Sequence, residues 1–191
     1  MYWVMRSMPS SDEDLRIYEQ PTTVRALGLS FDLGRKILYR YKTIEIVRER
    51  DNPGRYTDNL LAYGVLGLVF NSKIRMILRA QEVRNIQYFR AVLVDNLTGT
   101  EVEDYQIANI VGTVLCIDKD ASVLGLDEDD GSIEDIDKLV LNKNAIEESS
   151  LKIFRIGEYS SIVVVHDSIK KAFEAEDVTG VGFVEPEKFV L

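Results

Sequence analysis

Cysteine, histidine and tryptophan occur once each, at Cys116, His166 and Trp3. A single cysteine excludes an internal disulfide and suits a reducing cytoplasm. Zinc sites normally need several Cys or His ligands, so no zinc spacing is present. Phosphate loops are missing as well. Gly64-Val65-Leu66-Gly67 lacks the third glycine of a dinucleotide fingerprint and the Gly-Lys-Ser/Thr ending of a P-loop. No nucleophile-elbow motif occurs. The longest apolar stretch, Leu60 to Phe70, is too short to span a membrane and is broken by Gly64 and Gly67. Met1 to Arg6 lacks the charged-then-apolar order of a signal peptide.

Hydrophobic residues make up 46% of the 191 and charged residues 29%. That mix fills a core and is too apolar for general disorder. The length suits a single domain, with two pseudo-repeat halves, about 1–95 and 96–191, as its internal division. Net charge is −9 and unevenly placed. Residues 1–95 hold 15 Lys and Arg against 11 Asp and Glu; residues 96–191 hold 8 against 21. One run dominates: Asp127, Glu128, Asp129, Asp130, Glu134, Asp135 and Asp137, with no base among them. Such a block repels phosphates and favours a basic partner. A solvated acidic loop is the plainer alternative.

An internal repeat organises the chain. Residues 68–89 align without a gap on residues 163–184, at an offset of 95. Ile74, Ala80 and Val83 recur as Ile169, Ala175 and Val178, and the apolar pattern matches almost throughout. Each copy predicts a short strand, a helix of about three turns and a second strand. Ser72 and Asp167 are the expected helix caps. Further strands are expected at Met1–Met5, over Lys36–Val47 with a bulge near Thr43, and as one long strand from Tyr105 to Ile117. Asp51-Asn52-Pro53-Gly54 signals a turn. A loop holds the acids; Lys138–Leu141, Leu151–Ile156, Ser161–Val165 and Val181–Glu185 close the strand list. The fold class that follows is α+β, with a mixed or mainly antiparallel sheet and two packed helices from the repeated strand–helix–strand unit.

Groups suited to catalysis are sparse. His166 stands where the second helix begins and reads as a cap-region residue before it reads as a base. Cys116 reads as a core thiol. Asp118, Asp120 and Ser122 imitate the start of a calcium loop, but Val123 replaces the required glycine and Asp129 the final glutamate. The basic, tyrosine-bearing run Arg35–Arg55 fits an ordinary two-faced strand as well as a nucleic-acid surface.

The stretches Asn71–Leu93, Tyr105–Ile110 running to Ile117–Ser122, Leu151–Arg155, Ile162–Val165 and Val178-Thr179-Gly180-Val181-Gly182-Phe183 carry a family likeness. Over roughly residues 60–185 the chain resembles the bacterial immunity proteins of polymorphic toxin systems. That family often has serine at His166 or Asp167, and this chain departs there. The resemblance implies a non-catalytic protein that binds a cognate toxin and blocks it. No cofactor, membrane or nucleic acid is implied. The expected contact surface is Asp127, Glu128, Asp129, Asp130, Glu134, Asp135 and Asp137, with Tyr159 as an anchor and Tyr2 and Trp3 as further aromatics to test. Two rivals stand beside it: a small enzyme pairing Asp118 with Glu101 or Glu103, and a structural module that associates with itself through a sheet edge.

Overall fold

The computed structural model describes residues 1–38, 43–48, 54–62, 67–96 and 98–191. In chain order they form β1 (Tyr2–Ser7), β2 (Arg16–Ile17), α1 (Thr22–Ala26), β3 (Ile44–Arg48), β4 (Asn59–Ala62), β5 (Leu68–Phe70), α2 (Ser72–Ala80) and β6 (Ile86–Asp95). Then follow β7 (Glu101–Val102), β8 (Gln106–Ile110), β9 (Thr113–Val114), β10 (Val123–Leu126), β11 (Ile133–Lys138), α3 (Lys143–Ser149), β12 (Ile153–Ile156), β13 (Val163–His166), α4 (Asp167–Ala175) and β14 (Val181–Val184). One sheet runs β14-β1-β13-β12-β9; the other runs β2-β4-β5-β8-β6-β3 with β7 beside β6; β10 and β11 pair alone. Among the named strands of the described residues, β9 with β12, β2 with β4 and β3 with β6 are the parallel pairs. The fold is thus α+β and mainly antiparallel, as expected.

The repeat is present in three dimensions. The helix bounds of α2 and α4, and the starts of the strands around them, differ by the same 95 residues. Ala108 of β8 lies opposite both Leu68 and Tyr88, and Met5 of β1 lies opposite both Val163 and Phe183. Each unit is therefore two parallel strands joined through a helix, with an antiparallel strand slotted between them. The slot is filled in one case by β8 and in the other by the first strand of the chain. The two helices pack on each other. Leu68, Phe70, Ile74 and Leu78 of one unit share a core with Val163, Val165, Ile169 and Phe173 of the other, each pair again 95 apart. Burying side chains of this size stabilises by about 1.5–3 kcal/mol apiece, and neither unit buries them alone.

The caps correct one expectation. The N-cap residues are Asn71 and His166, not Ser72 and Asp167. Asn71 Oδ1 accepts from Ile74 N, and His166 Nδ1 accepts from Ser168 N, both at 3.2 Å. At the far ends Glu82 (φ 61°) and Asp177 (φ 47°) take the left-handed conformation. That lets Val83 N and Val178 N return to Leu78 O and Phe173 O, each at 3.0 Å.

Other expectations change. The long strand Tyr105–Ile117 breaks at Gly112 (φ +122°), where the chain leaves one sheet at β8 and joins the other at β9. Lys36–Leu38 forms no strand; its backbone is held by the Gln87 amide, which accepts from Ile37 N and donates to Ile37 O. The strand begins at Ile44, and Tyr39–Lys42, on which the bulge near Thr43 depends, lies outside the described residues. So do Asp51–Pro53 of the expected turn and the middle of Leu60–Phe70, whose ends are β4 and β5. The acidic run is no loop: it forms the turn and second strand of a hairpin. Lys138–Leu141 is not a separate strand; Lys138 ends β11 and Leu141 makes a lone bridge to Ile117. Helices α1 and α3 were not anticipated, although Asn142 caps α3 through Ala145 N at 3.2 Å. Among the described residues no helix is long and apolar enough to cross a membrane.

Candidate functional site

The acidic hairpin is built from its inner face outward. Ile136 is fully buried, and Leu124 and Ile133 pack beside it on a core with Leu139, Phe154 and Phe189. The chain end adds a clamp, with Leu191 N donating to Ile136 O at 3.1 Å. At the tip Asp127 closes the turn: its N donates to Ser132 O at 2.8 Å, its O accepts from Gly131 N at 3.0 Å, and Gly131 adopts φ +70°. Asp127 Oδ1 also accepts from Asp129 N (2.7 Å) and Asp130 N (3.1 Å). Those bonds, Asp130's first, hold the Asp127 carboxyl below the usual range. The Ser132 hydroxyl and backbone do the same for Asp130. Both groups therefore stay charged through the physiological range.

All seven acids are thus gathered on one arm. Glu128, Asp129, Asp130, Glu134, Asp135 and Asp137 are exposed, and Asp127 is half-exposed. Apolar side chains stand among them: Val123 is 51% and Leu126 53% exposed. Leu126, Leu124 and Ile133 line a shallow groove of about 380 Å³ shared with Lys119, Ser132 and Glu158. An exposed, charged rim around apolar residues is the form of a protein-contact surface.

Tyr159 is not on this arm. It is half-buried against the core beneath it and lines a different cavity. Tyr2 meets the His166 ring edge-on at 5.2 Å, and Trp3 donates Nε1 to Asp167 Oδ1 at 2.9 Å beneath Lys170. Both rings are half-buried packing residues. Cys116 is buried, and burial followed by the nearby Glu158 charge pushes its thiol up to about 12. Asp118 turns its own loop, accepting from Asp120 N and Ala121 N at 3.2 Å. No group of three or more metal-binding side chains converges among the described residues. Asp118 follows β9 of one sheet, whereas Glu101 and Glu103 belong to or follow β7 of the other, and Glu103 pairs with Arg90 at 2.5 Å.

Two places escaped sequence reading. At the first, Thr179–Gly180 docks on Asp58–Asn59. Burial works to raise the Asp58 pKa, but bonds from Thr179 N, the Asn71 amide, the Thr179 hydroxyl and Lys73 outweigh it and hold it low. Gly180 has φ +81°, and a Cβ there would lie 2.1 Å from Asn59 O. The Thr-Gly-Val ending is thus a clamp between the two sheets. The second is Arg155, 2% exposed in the middle of β12. Alternation in a strand gave no sign of either, since both depend on distant partners.

A family model for the immunity protein family Imm11 matches residues 8–188 of the chain. That is wider than the 60–185 expected, and takes in β2 to β4. No curated protein matches.

Proposed function

The chain belongs to the Imm11 immunity protein family, and from that premise we propose that it binds a cognate toxin in the cytoplasm and neutralises it by covering its surface. The family supports an immunity role in general. The observation that carries the finer reading is the acidic hairpin: seven carboxylates, exposed or half-exposed, on an arm braced by Ile136 and the chain end. Its charge draws a basic toxin and speeds capture, while Val123 and Leu126 supply apolar contact once the surfaces meet. Against a carboxylate enzyme, Asp118 is engaged in turning its own loop and Glu103 in pairing with Arg90.

The test is rescue. Candidate toxins are expressed one at a time in cells with the native protein or with Asp127, Asp129, Asp130, Asp135 and Asp137 changed to Asn and Glu128 and Glu134 to Gln. Native protein restores growth and the neutral arm fails. Equal rescue by both removes the hairpin from the interface, and rescue by neither removes the toxin reading.

A further inference from the structure

Strand β14 ends its sheet with the outer edge open. It pairs with β1 and, among the described residues, with no strand on its other side. One bond fixes which way its backbone groups turn. Met8 N donates to Gly180 O at 3.1 Å, in line with the register that sets Arg6 against Gly182 and Val4 against Val184. In an antiparallel pair, residues that turn toward the partner strand alternate with residues that turn away. Gly182 and Val184 therefore face β1, and the N–H and C=O groups of Val181 and Phe183 face the open edge. Exposed edges are normally blunted by a charge, a proline or a bulge. Val181-Gly182-Phe183-Val184 has no charge and no proline, and its register with β1 is unbroken.

A groove of about 390 Å³ lies beside this edge. Phe173, Val178, Val181 and Phe183 wall it, and Lys170, Glu174 and Asp177 supply its charges. Val181 and Phe183 turn their side chains to this side, where Phe183 meets Phe173 edge-on at 6.0 Å. Residues of an added strand that lie opposite Val181 and Phe183 share their face, and so overlie the groove.

The matching strand of the other unit already carries such an addition. On the side away from β8, β6 holds β3 as a parallel strand. That pairing starts at Ala91, two residues past the stretch Ile86–Phe89 that matches β14. Charge selects the occupant at β14. Lys170 is engaged by Glu174 at 2.6 Å and by the Trp3 ring. Glu176 and Asp177 are exposed, and among the described residues neither forms an ion pair. A second copy, paired about a two-fold axis, would set these two acids against Glu185-Pro186-Glu187, where Lys188 offsets only one acid. A basic segment is attracted instead.

We propose that the β14 edge takes an extended segment of a partner protein as a sixth strand, apolar at alternate positions and bearing Lys or Arg at the end that meets Asp177. The segment bonds to Val181 and Phe183, and its apolar side chains fill the groove against Phe173 and Val178. This inference does not rest on the acidic arm.

The test uses the full ¹⁵N-labelled chain. In the free protein the Val181 and Phe183 amides exchange with solvent about ten-fold or more faster than those of Gly182 and Val184. The probe is the peptide Ac-Lys-Val-Thr-Val-Thr-Val-Lys-NH₂. Saturable shifts at Val181 and Phe183, with a Kd of about 1 mM or tighter, and slowed exchange of both amides are expected. Glu in place of both lysines weakens binding several-fold. N-methylation of the peptide's valines abolishes binding of an antiparallel strand, and N-methylation of its threonines that of a parallel one. Glu176→Gln with Asp177→Asn, which keeps a residue type suited to φ 47°, weakens binding of the lysine peptide several-fold. No shift with the lysine peptide, undiminished binding by the Glu form, or undiminished binding by both N-methylated forms overturns the proposal. So does exchange at Val181 and Phe183 that slows as protein concentration rises, which places a second copy on the edge.

Discussion

In the first strand–helix–strand unit β6 runs on for 10 residues to Asp95, whereas in the second β14 stops after 4 at Val184 and Pro186 turns the chain. The extension gives β6 two further partners, β3 and β7, while β14 remains at its sheet's edge. The units also differ at the helix cap, Asn71 against His166, and at the turn before the second strand, Asn85 against Gly180. Their buried positions do not differ in kind: Ile74 and Leu78 answer to Ile169 and Phe173. Packing demands repeat because each helix buries the same stripe. The divergence lies at caps, strand ends and the segment between β9 and α3, where the acidic arm has no counterpart among the described residues of the other half.

The largest break in this comparison is expected at Gly180. Gly180→Val forces a β-branched residue to φ +81° and drives Cβ against Asn59 O. Strain and overpacking together cost about 5 kcal/mol, near the whole stability of such a domain. Asn85→Val, at the matching turn, removes the bonds from Nδ2 to Val111 O and Ile153 O and costs about 2 kcal/mol. Urea unfolding compares the two; equal losses would deny that the turns have diverged.

Next come the paired core positions. Phe173→Ala is expected to cost about 4 kcal/mol and Leu78→Ala about 3, because both face one shared core. Their double variant should cost less than the sum, since neighbours in one cavity are coupled. Strict additivity in denaturant melts would separate the two cores.

The caps differ by about 1 kcal/mol or less, and by pH. His166 caps α4 only with Nδ1 unprotonated, and burial first, then the chain's amino terminus, lower its pKa below 6.5. A lowered histidine pKa contributes stability above the unfolded value and loses it as pH falls through the folded one. His166→Ala should therefore cost most above pH 6.5 and little in acid, while Asn71→Ala costs about the same across that span. Parallel pH profiles for the two variants would contradict the cap assignment.

How much of this was legible in the chain depends on range. The repeat was readable because helix stripe and strand ends are local patterns, and both copies carry them. The caps were misplaced by one residue because Ser72 and Asp167 are themselves good capping types. Acids are rare in strands, so Asp135 and Asp137 hid β11, though Ile133 and Ile136 marked its inner face. Arg155 follows Phe154 in β12 and reads as an outward residue, yet elements on both sides cover it. That β1 completes the second unit rather than the first is set by pairing across more than 150 residues, which leaves no local mark.

The smallest effect on stability and the largest on function are expected from the same change. Changing Asp127, Asp129, Asp130, Asp135 and Asp137 to Asn and Glu128 and Glu134 to Gln should alter unfolding little, because an Asn oxygen can keep the turn bonds of Asp127 and Asp130 and the other five groups are solvated. The decisive measurement is the association rate of native and neutralised arms with a toxin that the native protein neutralises, from low to high salt. A native rate that falls steeply with salt, and a neutral arm that is slow and salt-indifferent, is the predicted result. Identical rates and salt dependence for the two would contradict capture by the acidic arm.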